Sequence, residues 1–184
     1  EIVGGGWDID DVISYMHTGL TGLTAEECDE LEAYIFKWQL RGGAWARPDD
    51  WHQHPDGYGA EYDEETNARL ERINALRRRL AGPLLDFERE SAAAETAQGQ
   101  AAALAMFFAR LKLPELLEAR AAALADEGRG ALAQEYVQLW GIITAALEQS
   151  AAILGGSEMT REEFGRLFNL TLSKYDIGTI PVSL

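Results

Sequence analysis

The sequence predicts an all-α fold: an irregular multi-helix bundle with a long central helix and a short extended C-terminal tail. Three observations predict it. Apolar residues recur at spacings of three and four along most of the chain. Two capping-box signatures, Thr24 with Glu27 and Thr160 with Glu163, each precede such a stretch. Glycines and prolines fall between the periodic segments.

The elements follow in order. Residues 8–17 read as a short helix that stops at "TGLTG". Thr24 opens the next helix, whose first turns carry Glu26, Glu27, Asp29 and Glu30, where the helix dipole favours negative charge. Cys28, Leu31, Ile35 and Trp38 form its apolar stripe, and Gly42 and Gly43 are expected to end it as a C-cap. Residues 44–60 form a loop rich in proline, glycine and aspartate, yet they carry Trp45, Trp51 and Tyr58. Those rings are expected to pin the loop across the helices.

Residues 63–80 give a helix with Leu70, Ile73, Leu76 and Leu80 on one side. Gly82 and Pro83 are expected to interrupt it, with Pro83 starting a new helix. Thr96 caps a further helix whose expected buried face is Leu104, Phe107, Phe108 and Leu111, and Pro114 opens residues 115–126. The expected longest helix, residues 131–154, would reach roughly 36 Å and act as the central strut, with Trp140 on its apolar side. Thr160 opens a last helix with Phe164, Leu167 and Phe168 inward. The final "IGTIPVSL" is β-branched and contains Pro181, so an extended segment is expected there.

The 184 residues can bury one sizeable core or two small ones. Hydrophobic residues at 47% and charged ones at 26% match soluble globular proteins, and no uninterrupted apolar run approaches the roughly 18–20 residues of a membrane span. No signal-peptide pattern precedes the first helix, and the first residue is not methionine, so a processed or excised piece of a longer chain is expected. One cysteine leaves no intramolecular disulfide to form, which fits a reducing, cytoplasmic setting. A net charge of −15 would repel a phosphate backbone over most of the surface, so DNA is the disfavoured partner.

The sequence is poor in reaction chemistry. His52 and His54, with Asp49, Asp50 and Asp56 nearby, allow a metal-dependent hydrolase as one reading; a surface loop is the preferred one, since the spacing fixes no ligand geometry. Cys28 lies on an apolar stripe among carboxylates, the wrong setting for a nucleophile. The glycine runs lack phosphate-loop spacing. Arg69, Arg72, Arg77, Arg78 and Arg79 form the one basic cluster. Arg72, Arg78 and Arg79 turn away from the leucine stripe, either as a nucleic-acid patch or, the preferred reading, as intrahelical ion pairs with Glu64, Glu65 and Glu71.

The segments "DDVISYMHTGLTGLTAEECDELEAYIFKWQLRGGAW", "INALRRRLAGPLLDF", "LAQEYVQLWGIITAALEQSAAILG" and "EEFGRLFNLTLSKYDIGTIPVSL" are colinear and resemble the B subunit of AddAB-type ATP-dependent helicase–nucleases, which resect double-strand breaks. The resemblance implies a helical accessory domain of the 2B type over residues 1–176, inserted in the helicase-like half, with residues 177–184 returning toward a motor domain. It implies a role in DNA repair and recombination, and the A subunit and the rest of the B subunit as partners.

The family's nucleotide loop, nuclease carboxylates and cluster cysteines have no counterparts here, so no catalytic residue, cofactor or metal is expected in this chain. The family commonly has lysine before the first Thr-Gly; here it is His17, which would make a contact at that point weaker or pH-dependent. His17, Thr18, Arg72, Arg78 and Arg79 are thus the candidate partner or DNA contacts, and Trp38, Trp45 and Trp140 the candidate structural pins. The alternative is a stand-alone helical adaptor protein. No membrane association is expected.

Overall fold

The computed structural model describes residues 2–175, and these contain helices and no strand. The all-α class expected from the sequence is what the structure has. The extended tail expected over residues 177–184 lies outside the described residues. The chain divides into two compact units, residues 1–86 and residues 87–184.

The first unit contains α1 (Ile2–Gly5), α2 (Ile9–Met16), α3 (Ala25–Trp38), a single 3₁₀ turn at Gly42–Ala44 and the greater part of α4 (Glu64–Ala93). Asp8 caps α2 by accepting from the Asp10 amide, and Thr24 caps α3 in a complete capping box with Glu27. The end of α3 differs from expectation. Gln39, not a glycine, takes the left-handed cap conformation at φ 51°, and its side-chain amide bonds the Phe36 carbonyl at 2.8 Å. Gly42 and Gly43 form the separate 3₁₀ turn. Inside the unit, Val12, Met16, Cys28, Leu31, Tyr34, Ile35, Trp45, Trp51, Ile73, Leu76 and Leu80 are buried.

α4 is the longest element described, at 30 residues, and continues through Gly82 and Pro83. The expected break is absent although Pro83 has no amide to donate to the Arg79 carbonyl. Leu80, Ala81 and Leu84 flank the site and are all buried, so side-chain burial on both sides of Pro83 outweighs the lost bond.

The second unit is built from α5 (Ala97–Arg110), α6 (Leu113–Asp126), α7 (Gly130–Leu154) and α8 (Arg161–Leu172). Within it α7 packs against α5, α6 and α8, as expected of a strut. Its core joins Ala97, Ala101, Ala146, Leu147, Phe164 and Phe168, where the alanines let helices approach closely. The strap after α7 is tied to α5: the Ala97 amide donates to Ser157 and the Met159 amide to Glu95. Phe107 is buried on α5, while Leu104, Phe108 and Leu111 are only half-buried. α7 is long and apolar enough to cross a membrane by length and composition, with mean hydropathy 1.3. The sequence contains no uninterrupted run because Glu135 and Glu148 divide it, but the window average passes. It packs against three helices, yet only 22% of that apolar window is buried among the described residues.

Candidate interaction surface

The turn between α2 and α3 is shaped by local side-chain bonds. Thr18 donates its hydroxyl to the Tyr15 carbonyl at 2.8 Å and accepts the Leu20 amide at 3.2 Å; Thr21 accepts the Leu23 amide at 3.3 Å. Gly19 and Gly22 stand at φ 73° and 70°, in the left-handed region that side chains avoid. His17 places Nε2 2.6 Å from Glu32 Oε2, so its imidazole is engaged on α3.

The arginines of α4 meet this same region. Arg79 donates to Glu27 at 2.7 Å and to the Gly22 carbonyl at 2.8 Å, clasping the turn and the α3 N-terminus together. Arg72 grips Glu30 with two bonds of 2.7 and 2.6 Å, and Arg69 reaches Glu30 and Asp56. Arg78 pairs with Asp50 in the loop. The intrahelical pairing expected from the sequence is therefore corrected: the partners lie on α3 and on the loop, because the carboxylates of those elements face the outward side of α4. The electrostatics follow. The Thr24 amide and Arg79 hold the Glu27 carboxyl below its ordinary range, and Arg72 with Arg69 does the same to Glu30.

The loop of residues 44–63 is fixed from beneath by two polar residues of α4. Asn74 accepts the Trp51 amide at 2.8 Å and donates to the Trp51 and Leu70 carbonyls at 2.9 and 3.0 Å. Arg77, only 4% exposed, donates to the carbonyls of Asp49, Trp45 and Arg47, and its guanidinium lies 4.9 Å from the Trp51 ring centroid. Sequence reasoning placed Arg77 beside the apolar stripe and did not single out Asn74. The signal was the register: 70, 73, 74, 77, 80 and 81 is one continuous helical face, and two of its positions are polar.

The rings pin the loop as expected, with one exception. Trp45 is buried, stacked on Trp7 at 5.8 Å and edge-on to Trp51 at 5.1 Å; its Nε1 is buried without a hydrogen-bond partner. Trp51 stacks on Tyr34, whose hydroxyl donates to the Gln53 carbonyl at 2.8 Å. Trp38 is half-buried and donates to the His54 carbonyl at 3.2 Å. Tyr58, expected as a pin, is 95% exposed and touches only the edge of Trp38, at 4.8 Å, among aromatic partners. Trp140, in the second unit, is half-buried on α7 with Phe108 edge-on at 6.4 Å, so it is a partial pin at most.

Cys28 and His54, the candidate reactive groups of the sequence, are both held in structural contacts. Cys28 is buried with Sγ 3.7 Å from the Met16 carbonyl, and burial together with Asp29, Glu27 and Glu32 pushes its thiol pKa up, away from a nucleophile. His54 is buried; Nδ1 accepts the Asp56 amide at 3.0 Å, which leaves Nε2 to donate to the Glu61 carbonyl at 3.1 Å. With both ring nitrogens engaged, His54 is a loop staple and not a ligand beside His52. Among the described residues no group of three or more His, Cys, Asp or Glu is placed to hold a metal.

No protein-family model matches the chain. Over its whole length it is 33% identical to the B subunit of the ATP-dependent helicase/deoxyribonuclease of Desulforudis audaxviator, covering 17% of that protein. It is 30% identical over 97% of its length to the protein of the same name from Acetivibrio thermocellus, and 27% identical over 97% to that from Clostridium acetobutylicum, covering 16% of each. The chain thus spans about a sixth of the length of the curated relatives it matches.

Proposed function

We propose that this chain, homologous throughout to a segment of ATP-dependent helicase/deoxyribonuclease B subunits, is a non-catalytic helical accessory domain of such a subunit. In this reading it acts in double-strand break repair and recombination, and it presents surfaces to the A subunit, to the remainder of the B subunit, or to DNA. Residues 1–176 form the accessory domain, of the 2B type, and residues 177–184 lead back toward the motor fold. ATP binding and nuclease chemistry belong to other parts of the parent protein, which works in the cytoplasm.

The observation that carries the reading is the match itself: the whole chain aligns with about a sixth of each relative. The described side chains agree with a positioning role. Arg72, Arg78 and Arg79 join elements of one unit, and the buried groups are spent on holding a loop in shape.

An immunoblot of the source organism's lysate with antibody raised against this chain tests it. A band several times heavier than 20.3 kDa is expected. A band at that mass would overturn the reading in favour of a stand-alone adaptor. A pull-down with purified A subunit then separates a partner-facing domain, which retains it, from one that faces only its own subunit.

A further inference from the structure

A cleft of about 750 Å³ opens in the second unit between the last turn of α4, the start of α5 and the start of α8. Gln100 of α5 lines it and is only 2% exposed. Both of its amide hydrogens are committed: Nε2 donates to the Ser91 carbonyl at 2.9 Å and to the Ala94 carbonyl at 2.8 Å. Its Oε1 receives no hydrogen bond from any described residue. That oxygen is not sealed off, since Trp45 Nε1 is the one enclosed side-chain polar atom without a partner among the described residues. A buried amide held by its donors thus offers its acceptor to the cleft.

The charge of the lining has one predominant sign. Four carboxylates, those of Glu95, Glu158, Glu162 and Glu163, stand against the single guanidinium of Arg161. Arg161 is already paired with Glu162 at 3.1 Å, and Glu163 is committed to the Thr160 amide and hydroxyl, each at 2.9 Å. Glu95 and Glu158 are exposed and pair with no cation among the described residues. Backbone bonds tie their two segments together: Met159 donates to the Glu95 carbonyl at 2.9 Å, and Thr96 bridges to Glu158. Two like charges are therefore held on adjoining backbone, which costs free energy until a cation comes between them. The C-terminal end of α4 adds partial negative charge on the same side.

We propose that this cleft docks an arginine side chain from a basic segment of a protein partner, with Glu95 and Glu158 as its ion-pair partners and Gln100 Oε1 as a further acceptor. The proposal deepens the accessory-domain reading and rests on it for the biological setting. No group of three or more His, Cys, Asp or Glu among the described residues is placed to hold a metal, so an organic cation is the fitting complement. A planar guanidinium offers five donors to acceptors spread over several groups, whereas an ammonium acts as a compact point charge. Ala92, Ala94 and Met159 supply apolar wall for the methylene stem. The volume exceeds one side chain and falls in the range of about 300–1,000 Å³ typical of ligand sites, so flanking peptide has room. Phosphate is repelled by the same carboxylates, which excludes a nucleic-acid backbone from this cleft.

The test is a heteronuclear NMR titration of the full 184-residue chain at 50 mM salt with a heptapeptide of glycine and serine around a central arginine. Its lysine and citrulline counterparts and spermidine are titrated in parallel. The arginine peptide is expected to move the Gln100 side-chain amide resonance saturably, the lysine peptide to bind about threefold more weakly, and the neutral citrulline peptide to leave the resonance in place. Glu95→Gln/Glu158→Gln should weaken the arginine peptide about fivefold, the upper range for one exposed ion pair. Arg161→Gln should tighten it about twofold. Glu118→Gln/Asp126→Asn, which removes the same charge from the exposed side of α6, should leave it unchanged. Far-UV circular dichroism confirms that each variant is folded.

Equal loss in the α6 double variant would overturn the proposal by showing that bulk charge alone attracts the peptide. Lysine or citrulline peptide binding as tightly as arginine, or a Gln100 resonance that does not move, would overturn it too. Spermidine that displaces the peptide at equal concentration would overturn it in favour of a free polyamine. None of these outcomes depends on the immunoblot, so the arginine site and the accessory-domain reading fail separately.

Discussion

Arg77→Met removes a buried cation that three loop carbonyls share. The residue is 4% exposed, and burial lowers its pKa without making it neutral. Hydrogen bonds to a charged group contribute about 1.5–3 kcal/mol each, so three give about 5–9 kcal/mol gross, with the contact to Trp51 adding about 1 kcal/mol. Removing the cation also abolishes its desolvation cost, which is several kcal/mol for a buried ion. The net destabilisation is therefore about 3 kcal/mol, most of it from leaving the carbonyls of Trp45, Arg47 and Asp49 without their donor.

Tryptophan fluorescence in urea reads this out, because Trp7, Trp38, Trp45 and Trp51 all lie in the first unit; a Trp140→Phe background silences the second. With a slope of about 1.5 kcal/mol per molar, the midpoint should fall by about 2 M. Arg77→Lys should recover less than half of it, since an ammonium cannot span three acceptors in a plane. A midpoint shift below about 0.5 M in Arg77→Met would refute the idea that this side chain fastens the loop.

Thr24→Ala removes one half of a complete capping box and should cost about 1 kcal/mol in the same titration, with Thr24→Gly costing less; no change would mean that the α3 N-terminus is held entirely by Arg79. Glu30, held below its ordinary range by Arg72 and Arg69, binds its proton more readily when unfolded. It therefore contributes stability above the unfolded carboxyl pKa, and that contribution disappears as pH falls through the depressed native value. The wild-type urea midpoint should decline below about pH 5, and Glu30→Gln should flatten that decline; identical pH profiles would remove the pair from the account. Trp140→Ala, expected from the sequence to cost ~3–5 kcal/mol if the ring were buried, should cost only about 1–2 kcal/mol, because the ring is half-buried. A thermal melt of the second unit showing a larger loss would mean the ring carries more packing than its exposure indicates.

Much of the helical plan is legible in the linear chain. The starts of α3, α5 and α8 are written in Thr24, Thr96 and Thr160, because a cap bond is made within a few residues and needs no distant partner. The reading fails where a distant partner outweighs a local preference. Gly82 and Pro83 signal a break, but burial of Leu80, Ala81 and Leu84 carries α4 through them. Gly42 and Gly43 signal a helix end, but the cap falls on Gln39, whose side chain reaches Phe36.

The candidate surface divides in the same way. By itself the sequence determined the all-α class, the capped helix starts, the burial of Cys28 and the rings of the loop. These follow from composition, periodicity and local bonds, which are properties of a linear string. Tertiary structure decided which charges are spent. Arg72, Arg78 and Arg79 look available on a helical wheel and are paired with Glu30, Asp50 and Glu27, while Lys37 is held only by the Pro55 carbonyl. An ion pair across 28 to 52 residues of chain has no trace in local spacing; it exists only once the fold has brought its two ends within 3 Å.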